Sequence, residues 1–144
     1  MTRTLVRPAD EEIQRRAGDS VGLAWNCDVV TMPRFAVWDW VMVRDGALVG
    51  VGEFKRRLHE AGGYPTVFLA LPKFRALTWA SEHLDCPALF VVQFNDGIRW
   101  ISVPDEVGGM TLTVGGRHDR PDVPTDIEEL VEVPIARMHR LAAR

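Results

Sequence analysis

The sequence predicts one α/β (α+β) domain with elements in the order α-β-β-β-α-β-β, followed by a C-terminal extension. Three observations carry this. Two apolar segments are joined by Arg44-Asp45-Gly46, a hairpin turn signal. Residues 88–94 form a continuous apolar run, the pattern of a central strand buried on both faces, and Asn95-Asp96-Gly97 then turns into a second hairpin. Two further stretches, one after Pro8 and one after Pro72, carry helical spacing. At 144 residues, 47 % hydrophobic and 26 % charged, the chain is long enough to bury one core and too short for two ordinary ones.

Pro8-Ala9-Asp10-Glu11-Glu12 reads as a helix start, with proline and acidic residues in the first turn. Ile13, Ala17 and Val21 would form its buried stripe, and Gly18 and Gly22 predict an end near one of them. Residues 25–30 suit a short strand. Pro33 breaks the chain before an apolar strand over 35–43, and 47–55 is the returning strand. The stretch 56–72, with Gly62-Gly63 and Pro65, reads as a loop. Phe74, Leu77, Trp79, Ala80 and Leu84 predict a helix over 72–84, ended by Cys86-Pro87. Strands follow over 88–94 and 98–103. After Pro104 the expectations are a strand over 110–114, a polar loop over 115–124, and a last strand over 131–135 before a basic tail. The tryptophans Trp25, Trp38, Trp40, Trp79 and Trp100 suit core and rim positions. One domain is expected over 1–144, its core over about 8–103 and the extension over 104–144.

No run approaches the ~18–20 apolar residues of a membrane span, and the N-terminus lacks the apolar stretch of a signal peptide. With only Cys27 and Cys86, no disulfide framework is implied and a reducing cytoplasm fits. The histidines His59, His83, His118 and His139 lack the short spacings that zinc sites favour. The net charge of −3 argues against a protein that coats nucleic acid by bulk attraction. Its distribution matters more. Lys55, Arg56, Arg57, His59, Lys73 and Arg75 cluster in one segment, opposed there by Glu53 and Glu60; an ordinary solvated face would look the same. Of the 17 basic residues only Lys55 and Lys73 are lysine. A GC-rich genome would by itself produce arginine enrichment, yet lysine alone offers a compact ammonium that can point at one atom or shift its pKa.

The chemistry centres on Trp38-Asp39-Trp40 and Glu53-Phe54-Lys55. Residues two apart on a strand share a face, so Glu53 and Lys55 project together and Phe54 projects away. Whether Asp39 joins them depends on the turn. A two-residue Asp45-Gly46 loop pairs odd-numbered with even-numbered residues and sends the two carboxylates to opposite faces. A three-residue Arg44-Asp45-Gly46 loop, a type I turn with a G1 bulge, brings them to one face. Val37, Val41 and Val43 would then join Val49 and Val51 on one side, which predicts this turn or an equivalent bulge. Two carboxylates beside a lysine suit phosphodiester cleavage. Oxygen ligands hold Mg²⁺, which activates water and neutralises charge building on the phosphate, and the lysine orients the water or stabilises that charge. Burying both acids on an apolar face without a cation is expensive.

Over residues 8–103 the arrangement of Asp39, Glu53-Phe54-Lys55, an acidic first helix, a following helix and an apolar strand resembles the PD-(D/E)XK nuclease superfamily. It is most similar to small phage and prophage members, which share the run Glu53-Phe54-Lys55-Arg56-Arg57, a later lysine such as Lys73, and a hairpin such as Phe94-Asn95-Asp96-Gly97-Ile98-Arg99. The resemblance implies a restriction-endonuclease-like core with a central mixed β-sheet flanked by helices. It implies Asp39 and Glu53 as metal ligands with Lys55 as the catalytic lysine, the Phe54 main-chain carbonyl completing the metal shell, and Glu12, rather than Glu11, as a further ligand. Trp38 stands where the superfamily's name has proline, a common departure.

The implied function is Mg²⁺-dependent hydrolysis of DNA, with Mn²⁺ able to substitute, in phage or bacterial DNA processing. A homodimer or larger assembly would suit it. Arg56, Arg57 and Lys73 are candidate backbone contacts, and Tyr64, the sole tyrosine, a candidate for stacking on a base; solvated or packed roles are open for each. Gly50 and Gly52 leave one strand face bare beside Glu53, for a helix or a bulge. His118-Asp119 and Asp126-Glu128-Glu129 read as solvated loop residues. Two other functions compete: a nucleic-acid-binding or assembly module that keeps the fold without turnover, and an unrelated α/β protein whose Glu53 and Lys55 form a surface ion pair. Exposure of Asp39 far from Glu53 would favour the last.

Overall fold

The computed structural model describes residues 8–116 and 127–142. A first helix, α1 (Pro8–Trp25), leads into β1 (Asp28–Thr31), β2 (Trp40–Arg44) and β3 (Ala47–Arg56). Next come β4 (Thr66–Ala70), α2 (Leu71–His83), β5 (Ala88–Phe94) and β6 (Gly97–Ser102). The C-terminal part adds β7 (Leu112–Gly116), β8 (Ile127–Pro134) and the short β9 (His139–Arg140). Six strands form a mixed sheet in the order β1-β2-β3-β5-β6-β9. Among the described residues of this sheet only β3 and β5 run parallel; the other neighbours are antiparallel. A second, antiparallel sheet has the order β4-β8-β7.

Each face of the large sheet has its own core. On one side Ala17 and Val21 of α1 pack with Trp40, Met42, Leu89 and Val91. On the other, Val51, Phe90, Val92 and Ile101 pack with Phe74 and Leu77 of α2 and with Leu69, Val131 and Val133 of the second sheet. Alternate residues of β5 therefore enter different cores, which is the physical basis of its unbroken apolar run. No helix among the described residues is long and apolar enough to cross a membrane.

Several elements differ from the sequence expectation. α1 passes both glycines and ends at Trp25. The glycines serve close approach: a Cβ on Gly22 would stand 2.7 Å from the Cys27 carbonyl oxygen, and one on Gly18 would stand 3.3 Å from Val29. Asn26, at φ +52°, stops the helix, and the Arg44 guanidinium donates to the Trp25 and Asn26 carbonyls at 2.6 and 2.8 Å. The strand expected over 35–43 begins only at Trp40. Residues 33–39 leave the sheet in a turn, with the Ala36 N–H donating to Pro33, and the Met32 N–H closing the excursion onto the Asp39 carbonyl at 2.8 Å.

Part of the loop expected over 56–72 is strand β4. Its partner is β8, sixty or more positions later, so the stretch carries no local hairpin signal. The last strand is longer than the 131–135 expected, and β9 follows it. His118, Asp119 and Asp126 lie outside the described residues, whereas Glu128 and Glu129 belong to β8 rather than to a loop.

Candidate active site

The hairpin between β2 and β3 decides which side chains meet. The loop has two residues, Asp45 and Gly46, at φ +51° and +77°, as a type I′ turn requires. Such a loop alone would set Asp39 and Glu53 on opposite faces. The register instead shifts between Met42 and Val43, from Val43↔Leu48 to Met42↔Gly50, so one extra β3 residue bulges out and Val41 faces Val51. The expected three-residue turn is absent and the alternative bulge takes its place. Below it, Asp39, Glu53 and Lys55 fall on the α2 side of the sheet.

Gly50 and Gly52 make room on the α1 side. A Cβ on Gly50 would come within 3.0 Å of the Met42 sulfur, and one on Gly52 within 3.2 Å of Trp40 and Met42. Their bare face is thus filled by side chains of the neighbouring strand.

The site opens where β2 leaves β3. β3 continues beside β5 through Arg56, but on its other edge regular pairing ends at Trp40↔Gly52. Asp39 covers the next edge position. Its N–H donates to the Gly52 carbonyl at 3.1 Å, and its Oδ2 accepts the Phe54 N–H at 2.8 Å. In an extended strand a residue's N–H and C=O point to the same side, so the Phe54 carbonyl faces the side from which Asp39 enters. The Phe54 ring packs on the opposite side of the sheet against Trp40, centroids 5.3 Å apart. Trp38 fixes the approach: its indole N–H donates to the Ala76 carbonyl of α2 at 3.2 Å, and its ring stacks on Trp79.

Glu53 is the desolvated member. Its side chain is 13 % exposed, and its Oε1 is buried without a hydrogen bond. The Lys73 ammonium, from the first turn of α2, stands 3.5 Å from that oxygen. Burial, then the Asp39 charge, push the Glu53 carboxyl up to about 8, with Lys73 pulling the other way. Lys55 is also largely buried, its Nζ 3.5 Å from the Phe68 carbonyl of β4. Burial and then the nearby Arg57 guanidinium push its pKa down, while Glu128 and Glu53 oppose them.

These positions separate the predicted residues. Asp39, Glu53, Phe54 and Lys55 come together, and Lys73 joins them against Glu53. Both lysines of the chain therefore stand at one site. Arg57 continues the row beyond Lys55, whereas Arg56 is exposed. Glu12 is held on α1 by Arg15 and Arg16 in surface ion pairs. Among the described residues no group of three or more acidic, histidine or cysteine side chains forms a metal cluster. Glu12 thus does not complete one with Asp39 and Glu53. Glu128 was missed as a neighbour of Lys55, because it reaches the site only through the pairing of β8 with β4.

The donor set is nonetheless suited to a hard divalent cation: two close carboxylates, a main-chain carbonyl, and one buried carboxylate oxygen with no hydrogen bond. Mg²⁺ commonly takes one or two carboxylates and keeps waters or phosphate oxygens in its other positions. The residues present fit it.

The family described as "Phage putative PDDEXK endonuclease" matches residues 7–141 of the chain. In fold the chain is similar to Hjc of Archaeoglobus fulgidus, a Holliday junction resolvase from an archaeal hyperthermophile. The TM-score is 0.60 at 11 % identity, covering 92 % of this chain and 91 % of that one. Among curated proteins no relative matches.

Proposed function

This chain belongs to the family of phage PDDEXK endonucleases, and from that premise we propose that it is a divalent-metal-dependent nuclease hydrolysing DNA phosphodiester bonds at Asp39, Glu53 and Lys55. The observation that carries the reading is the buried Oε1 of Glu53, which makes no hydrogen bond, has Lys73 at 3.5 Å and lies close to Asp39. A fold gains nothing in stability by burying acids in this way, whereas a cation site needs them.

Asp39, Glu53 and the Phe54 carbonyl would hold the cation. When bound, Mg²⁺ or Mn²⁺ supplies a Lewis acid for the phosphate and a more acidic water. Lys55, held near the Phe68 carbonyl, directs its ammonium toward the phosphate and stabilises negative charge developing on it. Its lowered pKa also suits it to hold or pass a proton at Nζ. Lys73 offsets negative charge on Glu53 and, from the first turn of α2, would also be within the site for a phosphate oxygen. Arg57 extends the cationic row along the DNA backbone. Glu12, engaged with Arg15 and Arg16, is left out of the set. The cytoplasm of a bacterial host, and a role in phage DNA processing as a dimer or within a larger assembly, complete the proposal.

The test is cleavage of a panel of duplex, branched and single-stranded DNA with Mg²⁺ or Mn²⁺, comparing wild type with Glu53→Ala and Lys55→Ala. Each variant is expected to lose about a hundredfold or more in rate. Equal residual activity in wild type and both variants would remove the assignment.

A further inference from the structure

β3 carries its charged groups as a row. Glu53, Lys55 and Arg57 alternate along one face, and the Arg57 N–H continues the strand's hydrogen bonding to the Gln93 carbonyl at 2.9 Å. Beyond Arg57 the row ends in a cavity of about 310 Å³, whose lining includes Arg57, His59, Tyr64, Val67 and Phe68. That volume is at the lower end of the range for small-molecule pockets, roughly 300–1,000 Å³. Phe68 belongs to both places: its carbonyl faces the Lys55 ammonium, and the residue also lines the cavity.

The cavity walls are fixed. The His59 carbonyl accepts the Asn95 N–H at 2.9 Å, Asp96 accepts the Ala61 N–H at 2.9 Å, and the Pro65 carbonyl accepts the Ile135 N–H at 3.0 Å. The stretch between β3 and β4 is thus pinned to the β5–β6 turn and to the C-terminal part. His59 is held between Phe94 and Tyr64, with ring centroids 5.6 and 4.6 Å away. Its Nδ1 lies 2.8 Å from the Glu60 carbonyl and donates to it. With Nδ1 committed as a donor, Nε2 is the ring nitrogen left for a ligand. Tyr64 meets His59 edge to face, and the residue as a whole is 60 % exposed.

We infer that this cavity takes an unpaired nucleobase of the DNA strand being cut, stacked on Tyr64, with Arg57 on an adjoining phosphate. The inference rests on the nuclease reading and extends it to substrate choice. A nucleotide joins a flat π-surface to an anion one backbone step away, which matches aromatic walls beside a guanidinium. His59 Nε2 can accept from an exocyclic amino group. A base inside a duplex stack cannot enter, so strands with a nucleotide already out of the stack avoid the unstacking cost.

The test uses the full chain with Mn²⁺ and three DNA duplexes that differ at one position: fully paired, one unpaired adenine, and one unpaired abasic site. Wild type, Tyr64→Ala and Tyr64→Phe are compared by single-turnover cleavage near that position. Quenching of 2-aminopurine placed there serves as a second readout. Wild type is expected to favour the unpaired base over the abasic site by about tenfold or more, the size of one stacking contact. Tyr64→Phe should keep that preference and the quenching, and Tyr64→Ala should lose both. Cleavage that is indifferent to the base, or a preference that survives Tyr64→Ala, overturns the cavity assignment and leaves the nuclease reading standing. Absence of cleavage on every substrate by wild type overturns both.

Discussion

Glu53→Gln is expected to stabilise the metal-free protein at alkaline pH while abolishing cleavage. The Glu53 carboxyl titrates near 4.5 in an unfolded chain and is raised to about 8 in the fold, chiefly by burial and then by the Asp39 charge. Between those values the folded state holds a proton that the unfolded state has lost. Stability from this group is therefore fully present below about 4.5 and is lost as pH rises through about 8. At about 1.4 kcal/mol per tenfold, the full loss is on the order of 3–5 kcal/mol, a large share of the ~5–15 kcal/mol that holds a domain folded. Glutamine keeps the shape and carries no charge, so the decline disappears. The assay is urea denaturation followed by circular dichroism in excess EDTA, from about pH 5 to about pH 9. Wild type should weaken steeply across that range relative to the variant, and Mg²⁺ should restore stability at high pH in wild type alone. Parallel curves for the two proteins would refute the idea that a buried carboxylate crowded by Asp39 forms the cation site.

Lys73→Met removes the ammonium 3.5 Å from Glu53. It should raise the Glu53 pKa further and move the midpoint of the same stability decline to higher pH, read from the same titrations. Gly52→Val pushes a branched side chain toward Trp40 and Met42, already 3.2 Å from an added Cβ. Thermal denaturation should show a loss of about 1–3 kcal/mol. Phe54→Ala, which removes a ring packed on Trp40 and leaves the carbonyl at the site in place, should cost about 3 kcal/mol of stability. At a temperature where the protein is folded, its cleavage should fall far less than that of Glu53→Ala. Truncation after Val103 removes Val131, Val133 and Ile135 from the α2-side core. The shortened chain should lose cooperative unfolding in calorimetry.

Much of this site is legible without coordinates, because the relevant rules act over a few residues. The two-residue spacing of Glu53 and Lys55 fixes their common face, and Asp45-Gly46 marks the turn. The apolar run of β5 announces a strand buried on both sides, and the spacing of Phe74, Leu77 and Ala80 announces α2. The resemblance to PD-(D/E)XK nucleases rested on these elements, and the restriction-endonuclease-like fold and family membership agree with it.

Tertiary structure decided the remainder. The bulge that aligns Asp39 with Glu53 follows from seating Trp40 and Met42 over two glycines, a packing choice that turn chemistry does not encode. β4 becomes a strand only because β8, far away in sequence, pairs with it, and that pairing also brings Glu128 toward Lys55. Lys73 meets Glu53 because α2 crosses the sheet at that point. The raised pKa of Glu53 depends on how much water the finished fold excludes. Side-chain direction is a local property of an extended chain, whereas desolvation and long-range partners belong to the assembled protein.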